Sequence, residues 1–402
     1  MHVKSFLFGT AALLALASPA QAIEWGKADF GGYVGVESRT FLETPQYAGQ
    51  SSDNEFTLLL NPEFRIKSKD RSHQVTFVPF AAINSKDDQR SHFDIRELHY
   101  TYVGDDFDVL VGINKVFWGV TESRHLVDII NQTDLVEDID TEDKLGQQMV
   151  QYTSLQDWGT VSLFVLPGFR ERTFPGPEGR LRAGVDVNED NPLYESGAAE
   201  KHVDFAARYS NYFDEWDVGV SYFHGTGREP DFVPDASGQR MRPYYQIINQ
   251  AGLDLQYTNE AWLWKLEGIA REGQGDTFLA SVFGFEYSYY QIMETNYDLG
   301  VLLEYQYDGR DETAPLTLAD NDIFSGVRLA LNDIQDTEIL AGFTYDPETQ
   351  ETFYNIEAER RIGSNWNLEL RGRFFSGPLK SSDPAFALES DDYVQVRLEK
   401  YF

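Results

Sequence analysis

Carboxylates dominate one stretch of this chain. Between Val120 and Gln147 stand Glu122, Asp128, Asp134, Glu137, Asp138, Asp140, Glu142 and Asp143, against only Arg124 and Lys144. Three kinds of chemistry suit that density: ligation of a hard cation, general acid–base work, or an electrostatic filter for charged solutes. The densest run, Asp138 to Asp143, lacks the sixth-position glycine and the spaced glutamate of a calcium-binding loop. No metal site is expected from it, although weak divalent binding at an outer surface could bridge lipopolysaccharide phosphates.

The same stretch carries Leu126, Val127, Ile129, Ile130, Leu135 and Val136. A fully exposed loop has no use for so many aliphatic side chains. The expectation is a loop that packs its apolar part against a wall and narrows a passage with its acidic part. Basic counterparts are available in Arg65, Lys67, Arg328, Arg371, Arg373 and Arg397. Carboxylates facing guanidiniums would orient dipolar solutes and select by charge. The blander alternative pairs these cations with Glu63, Glu357, Glu359, Glu369 and Glu399 on neighbouring strands, which would only keep an interior solvated.

Covalent catalysis finds little support. Past residue 22 the histidines are His73, His92, His99, His125, His202 and His224, and none stands in a G-x-S-x-G or H-E-x-x-H frame. His125 beside Ser123 is the one pair retained as a nucleophile–base candidate. His99, alternating with Glu97 and Thr101, reads as a polar wall residue. The expectation is a protein that is not an enzyme and holds no cofactor.

The elements that would position these groups begin after a leader. Residues 1–22 combine Lys4, an apolar run from Phe6 to Ala17, and Ala20-Gln21-Ala22, the pattern of a cleaved secretory signal. No stretch reaches the roughly 20 apolar residues of a spanning helix. The 402 residues include no cysteine, so disulfides cannot stabilise the exported chain. Aromatics reach 14 %, yet mean hydropathy is −0.42. Strands that are apolar on one face only reconcile the two figures. The net charge of −33 makes nucleic acid and anionic membrane surfaces unsuitable partners.

Past Ile23 a unit of about ten alternating residues recurs between turns. Phe56, Leu58, Leu60, Phe64 and Ile66 share one face of a strand, with Thr57, Asn61, Glu63, Arg65 and Lys67 on the other. Trp366, Leu368, Leu370 and Phe374 likewise alternate with Asn367, Glu369, Arg371 and Arg373, and aromatics recur at both ends of such apolar stripes. Alternate connections are short and polar, as at Lys69-Asp70-Arg71, Gly104-Asp105-Asp106, Asp214-Glu215, Asn259-Glu260 and Gly363-Ser364, while many between them are long. This predicts an all-β fold: a transmembrane, antiparallel, up-and-down β-barrel of roughly 18 strands (16–18), filling 23–402 as a single domain, with 120–147 as its third outside loop, folded inward. The last strand ends on Phe402 behind Leu398, Val396 and Val394, a signal of the kind by which barrel-assembly machinery recognises its clients. A second long loop, Gly168–Lys201, has a basic front half with Arg170, Arg172, Arg180 and Arg182, and its glycines and prolines favour a surface loop over a site for anions or lipopolysaccharide.

Gly112-Ile113-Asn114-Lys115-Val116-Phe117-Trp118-Gly119, followed by Asp128-Ile129-Ile130-Asn131-Gln132-Thr133-Asp134, resembles an element of the uncharacterised porin-like family of unknown function 1302. That family carries G-R-Q-x-x-x-W-G and then an I-N-P-x-D-like segment. Here Asn114-Lys115 replaces Arg-Gln, and Gln132 replaces the usual proline. The resemblance covers roughly a tenth of the chain; it implies an outer-membrane channel or export role and transfers no catalytic residue. Together these features predict a Gram-negative outer-membrane channel for diffusion of small solutes, as one copy or a homotrimer, in contact with outer-membrane lipid and lipopolysaccharide. The alternatives are a carrier for a lipid or aromatic compound, which needs an apolar inner path, and a barrel hydrolase, which needs His paired with Ser or Asp.

Overall fold

The computed structural model describes residues 23–52, 54–378 and 384–402, so the leader read at 1–22 lies outside the described residues. Period-2 apolar patterning produces strands throughout. Among the described residues, eighteen form one closed antiparallel sheet in which each barrel strand pairs with the next along the chain. The first strand, Trp25–Phe41, closes the ring against the last, Tyr393–Tyr401, in a register running from Tyr33 opposite Tyr401 to Phe41 opposite Tyr393. Closure leaves no unpaired edge, the requirement for a sheet in hydrocarbon. The expectation of an up-and-down barrel with about 18 strands is met, and no described helix is long and apolar enough to cross a membrane.

The alternation resolves into an apolar outer face and a polar inner one. Phe56, Leu58, Leu60 and Phe64 stand exposed on the outside, whereas Glu55, Thr57 and Leu59, which alternate with them, are buried inside. Trp366 and Leu370 point out and Asn367 and Arg373 in, as the sequence pattern requires. At the end of the barrel with short turns, aromatic rings touch across neighbouring strands: Trp216 on Tyr257, Trp262 on Tyr287, and Phe30 on both Phe64 and Phe402. Such a girdle matches a membrane–water interface.

Long connections gather at the opposite end and two of them turn inward. One, 115–146, joins strands Phe107–Asn114 and Gln147–Gln156. The other, 168–202, joins Gly159–Pro167 and Val203–Phe213 and contributes Leu193–Tyr194 to a three-stranded sheet with Asp231–Pro234 and Met241–Tyr245. The second loop is therefore not the surface loop its composition suggests. Arg180 and Arg182 are buried, as are Phe169, Phe174 and Leu181.

Placing a guanidinium on the outer face tests this arrangement. Leu60→Arg, near the middle of its strand, should cost about 2–4 kcal/mol of stability when unfolding is followed in lipid vesicles. A loss under about 0.5 kcal/mol would contradict the outward assignment.

Candidate functional site

The loop 115–146 crosses the lumen with two different faces. Its aliphatic half inserts Trp118, Leu126, Val127, Ile129 and Ile130 into a cluster with wall residues Met149, Phe164, Leu166, Phe223, Ile248, Ile269 and Val282. These wall positions face inward by strand parity, so one side of the lumen is apolar at this level. Trp118 packs edge-on against Phe164, with the Arg208 guanidinium over its ring.

A backbone buried in this way cannot use a sheet ladder, and its polar groups need other partners. Two inward carboxylates supply acceptors. Glu267 Oε1 accepts from the amides of Val120 (2.7 Å) and Thr121 (3.1 Å) and from Thr121 Oγ1 (2.8 Å), while Oε2 accepts from the Val127 amide at 3.2 Å. Glu304 accepts from the amides of Glu122 and Ser123, each at 2.8 Å, and from Ser123 Oγ at 2.6 Å. Arginines supply the donors: Arg228 Nη2 to the Ile130 carbonyl (2.9 Å), Arg39 Nη2 to that of Glu137 (3.0 Å) and Arg96 Nη1 to that of Lys144 (2.9 Å). Asn131 fastens the base of the loop through the Val116 amide and the carbonyls of Asn114 and Leu145. It thereby joins the two segments that carry the family resemblance.

The acidic half meets the opposite wall. Asp138 Oδ2 lies 2.7 Å from Arg371 Nη1, and its Oδ1 accepts from the Tyr393 hydroxyl at 2.9 Å. Asp140 Oδ2 lies 3.1 Å from Arg373 Nη2, which also contacts Glu357 Oε1 at 2.7 Å. Burial alone would raise the Asp138 pKa, but Arg373 and Arg371 outweigh it and hold that carboxyl below the usual range. Burial and the adjacent Asp138 charge push Asp140 up to about 8.

The other acids named from sequence do not join this seam. Glu122 pairs with Arg328 at 2.7 Å, Asp128 with Lys144 at 3.1 Å and Asp134 with Arg96 at 2.5 Å. Glu142 and Glu137 face His125 and His92, each at 3.8 Å, and the Asp143 carbonyl accepts from the Asp134 amide. Arg397 is bound to Glu37 of the first strand at 2.7 Å. Arg65 pairs with Glu63 at 3.1 Å, and both Arg65 and Lys67 are solvent-exposed at the short-turn end, away from the loop. The carboxylates of 138–143 converge on arginines and a histidine rather than on one point.

The second loop braces the first. Arg170 Nη1 reaches Asp94 (2.7 Å) and the Gly146 carbonyl (2.8 Å), and Thr173 Oγ1 donates to Asp134 at 2.8 Å. Arg180 Nε pairs with Asp391 at 2.6 Å. Inward side chains at this level are buried on most of the barrel strands, among them Arg39, Thr57, Asp94, Leu166, Phe223, Val282, Leu302 and Gln395, but none is buried on Glu338–Tyr345 or Thr352–Ile362. Towards the short turns the inward residues Glu63, Arg65, Lys67 and Glu359 are open to water. The lumen is thus a polar vestibule narrowed at the long-loop end by two packed loops, with Thr141 and Glu142 still exposed.

Ser123 and His125 have separate partners. Ser123 Oγ is committed to Glu304, and His125 lies 3.7 Å from Glu267 and 3.8 Å from Glu142, with Phe117 edge-on at 4.8 Å. His99 is held by Glu97 and Thr101 on its own strand. Sequence reasoning missed Glu267 and Glu304, which carry no signal beyond inward parity.

No family model matches the chain, and no curated protein matches it. Solved structures do. Wzi from Escherichia coli, an outer-membrane protein of group 1 capsule assembly described as a carbohydrate-binding β-barrel, aligns with a TM-score of 0.53 at 11 % identity, over 93 % of this chain and 84 % of its own. A BenF-like porin from Pseudomonas fluorescens aligns at 0.54 and 10 % identity, over 93 % and 98 % of the two chains. OpdQ from Pseudomonas aeruginosa aligns at 0.51 and 11 %, over 93 % and 97 %. At these identities the shared property is the barrel fold.

Two outcomes follow from the anchors. Glu267→Gln places an amide among donors and should cost about 1–3 kcal/mol of local stability. Protease cleavage within 120–147 of the folded barrel should accelerate while the strands stay protected; unchanged cleavage would refute the anchoring role. Burial disfavours charge on His125, yet the Glu142 and Glu267 carboxylates prevail and raise its pKa to about 9. Because that value exceeds the ordinary 6.5 or so, the stabilisation is complete below about pH 6.5 and disappears as pH rises through about 9. Loop cleavage should therefore increase between those limits in the native protein and lose that pH step in His125→Gln.

Proposed function

We propose that the protein is a Gram-negative outer-membrane channel for small solutes, exported by residues 1–22, folded by the barrel-assembly machinery through its Phe402 end, and constricted by its own loops. Short turns face the periplasm and long loops face outward, the usual orientation of such barrels. The observation that carries this reading is the polar seam of Asp138 and Asp140 with Arg371 and Arg373, with Asp138 as its charged carboxylate, which lies across the lumen above a water-exposed vestibule. A solute passing between acidic loop and basic wall meets opposed charges a few ångströms apart, which orients dipoles and rejects apolar cargo. The inner path in the vestibule is polar, which argues against the lipid-carrier alternative. The separate partners of Ser123 and His125 argue against a hydrolase.

The narrowed lumen supports one further reading: a barrel that binds a ligand at its outer face and never conducts, the carbohydrate-binding neighbour being an example of a non-porin role on this fold. Planar-bilayer recording separates the two. Deleting Glu137–Asp143 should raise single-channel conductance several-fold above the native protein. Arg371→Glu with Arg373→Glu should release the seam and shift the reversal potential in a salt gradient towards cation selectivity. If both variants fold as heat-modifiable barrels and neither passes current, the channel reading falls and the surface-binding one replaces it.

A further inference from the structure

Away from the arginine seam, three ligating side chains converge where the plug meets the wall. His92 immediately precedes strand Phe93–Val103, while Asp134 and Glu137 belong to the inward loop. His92 Nε2 lies 3.1 Å from Asp134 Oδ2 and 3.8 Å from Glu137 Oε1, and the ligand atoms of all three lie within 4.8 Å of one another. Ligands at about 2.0–2.2 Å from a tetrahedral zinc ion stand about 3.3–3.6 Å apart. The two measured edges bracket that separation.

An independent feature points to a cation at this place. Glu137 is 3 % exposed, and its Oε1 has no hydrogen-bond partner among the described residues. Leaving a carboxylate oxygen so buried is costly, and although the Arg90 charge acts on Glu137, its guanidinium donates to the Glu137 backbone carbonyl and leaves Oε1 unbonded. The His92 ring sharpens the requirement. Its Nδ1 lies 3.0 Å from the Arg90 carbonyl, which can only accept, so Nδ1 carries the proton and the neutral ring aims the Nε2 lone pair at two carboxylate oxygens. Three electron-rich atoms facing one another need a metal ion, a second ring proton or a carboxyl proton between them.

Support behind these atoms resembles the outer shell of a metal centre. A ligating imidazole commonly donates its other N–H to a carbonyl, as His92 does to Arg90, and a ligating carboxylate is itself hydrogen-bonded. Asp134 is braced by Thr173 Oγ1 at 2.8 Å on Oδ1 and by Arg96 Nη2 at 2.5 Å on Oδ2, so an ion would share Oδ2 with Arg96 through its second lone pair. We infer that His92, Asp134 and Glu137 bind Zn2+ or a chemically similar divalent transition metal, with a fourth position for water. One imidazole and two carboxylates favour such an ion over calcium, which takes six to eight oxygens. The ion ties the wall to the acidic half of the plug, and its presence does not depend on whether the barrel conducts.

The test uses the protein folded in lipid vesicles, stripped with a chelator and dialysed against Zn2+, with metal counted by mass spectrometry and Co2+ substituted for visible spectroscopy. Expected are one Zn2+ per chain, the absorption of four-coordinate Co2+, and at least a 10- to 100-fold weaker affinity in Glu137→Gln and His92→Gln variants that still fold as heat-modifiable barrels, about the loss seen even for outer-shell changes. Two results would overturn the site. One is native protein that retains no Zn2+ and whose His92 ring gives the same nitrogen resonances with and without zinc. The other is Zn2+ retained equally by both variants. Should the variants fail to fold, the Co2+ spectrum and the His92 resonance of the native protein decide alone.

Discussion

A peptide chain that enters a closed barrel leaves every ladder behind, and each of its amides and carbonyls must then be satisfied by a side chain or by water. That constraint organises the lumen of this protein. Glu267 and Glu304 are spent on amides of 120–127, and Arg228, Arg39 and Arg96 on carbonyls of 130, 137 and 144. Charge-assisted bonds of this kind are about twice as strong as neutral ones and fix geometry as well as energy. Much of the charge on the inner wall at the loop end therefore reads as the complement of a folded loop. It is not the lining of an open water column.

The two sides of the plug are held by different forces. Residues 118–130 sit in an apolar cluster against Met149, Phe164, Leu166, Phe223 and Ile248, a contact that salt and pH affect little. Residues 134–143 are held by arginines: Asp134 and Asp138 by ion pairs with Arg96 and Arg371, and Asp140 by a hydrogen bond from Arg373. Buried pairs lend little net stability compared with apolar packing, but removing one partner strands a charge and costs about 3–5 kcal/mol. The acidic half is thus specified in place more than it is glued there.

Much of the architecture was legible because its cause is local. Period-2 alternation at Phe56–Ile66 or Trp366–Phe374 records which face meets lipid, and short polar turns at alternate connections record the up-and-down order. The inward course of 120–147 was legible from Leu126, Val127, Ile129 and Ile130, aliphatics with nowhere else to go. The partners were not. Glu267 is about 140 residues from the amides it accepts, and one inward carboxylate looks like any other until the barrel closes. The loop 168–202 misled for a related reason: its glycines and prolines describe local flexibility, whereas the burial of Arg180 depends on Asp391, far along the chain. Arg65 and Lys67 have the parity of lumen residues, but parity does not report height along the barrel axis.

Height also decides how such a plug could open. Asn131 pins the loop to its own strand ends, between the apolar half and the ionic half. Displacing 118–130 would expose buried aliphatic surface to the lumen and orphan the amides now held by Glu267, so that half behaves as part of the wall. Displacing 134–143 exchanges ion pairs for hydrated charges, a trade with a far smaller balance because both partners regain water together. A hinge favoured by this asymmetry would lie just beyond Asn131, with the acidic segment moving against the Val136 and Ile139 contacts that also hold it. Whatever crosses this barrel would then pass between Arg371, Arg373 and a withdrawn Asp138, through a gap whose width is set by how firmly Arg39, Arg90 and His92 keep their hold on Glu137 and Asp134.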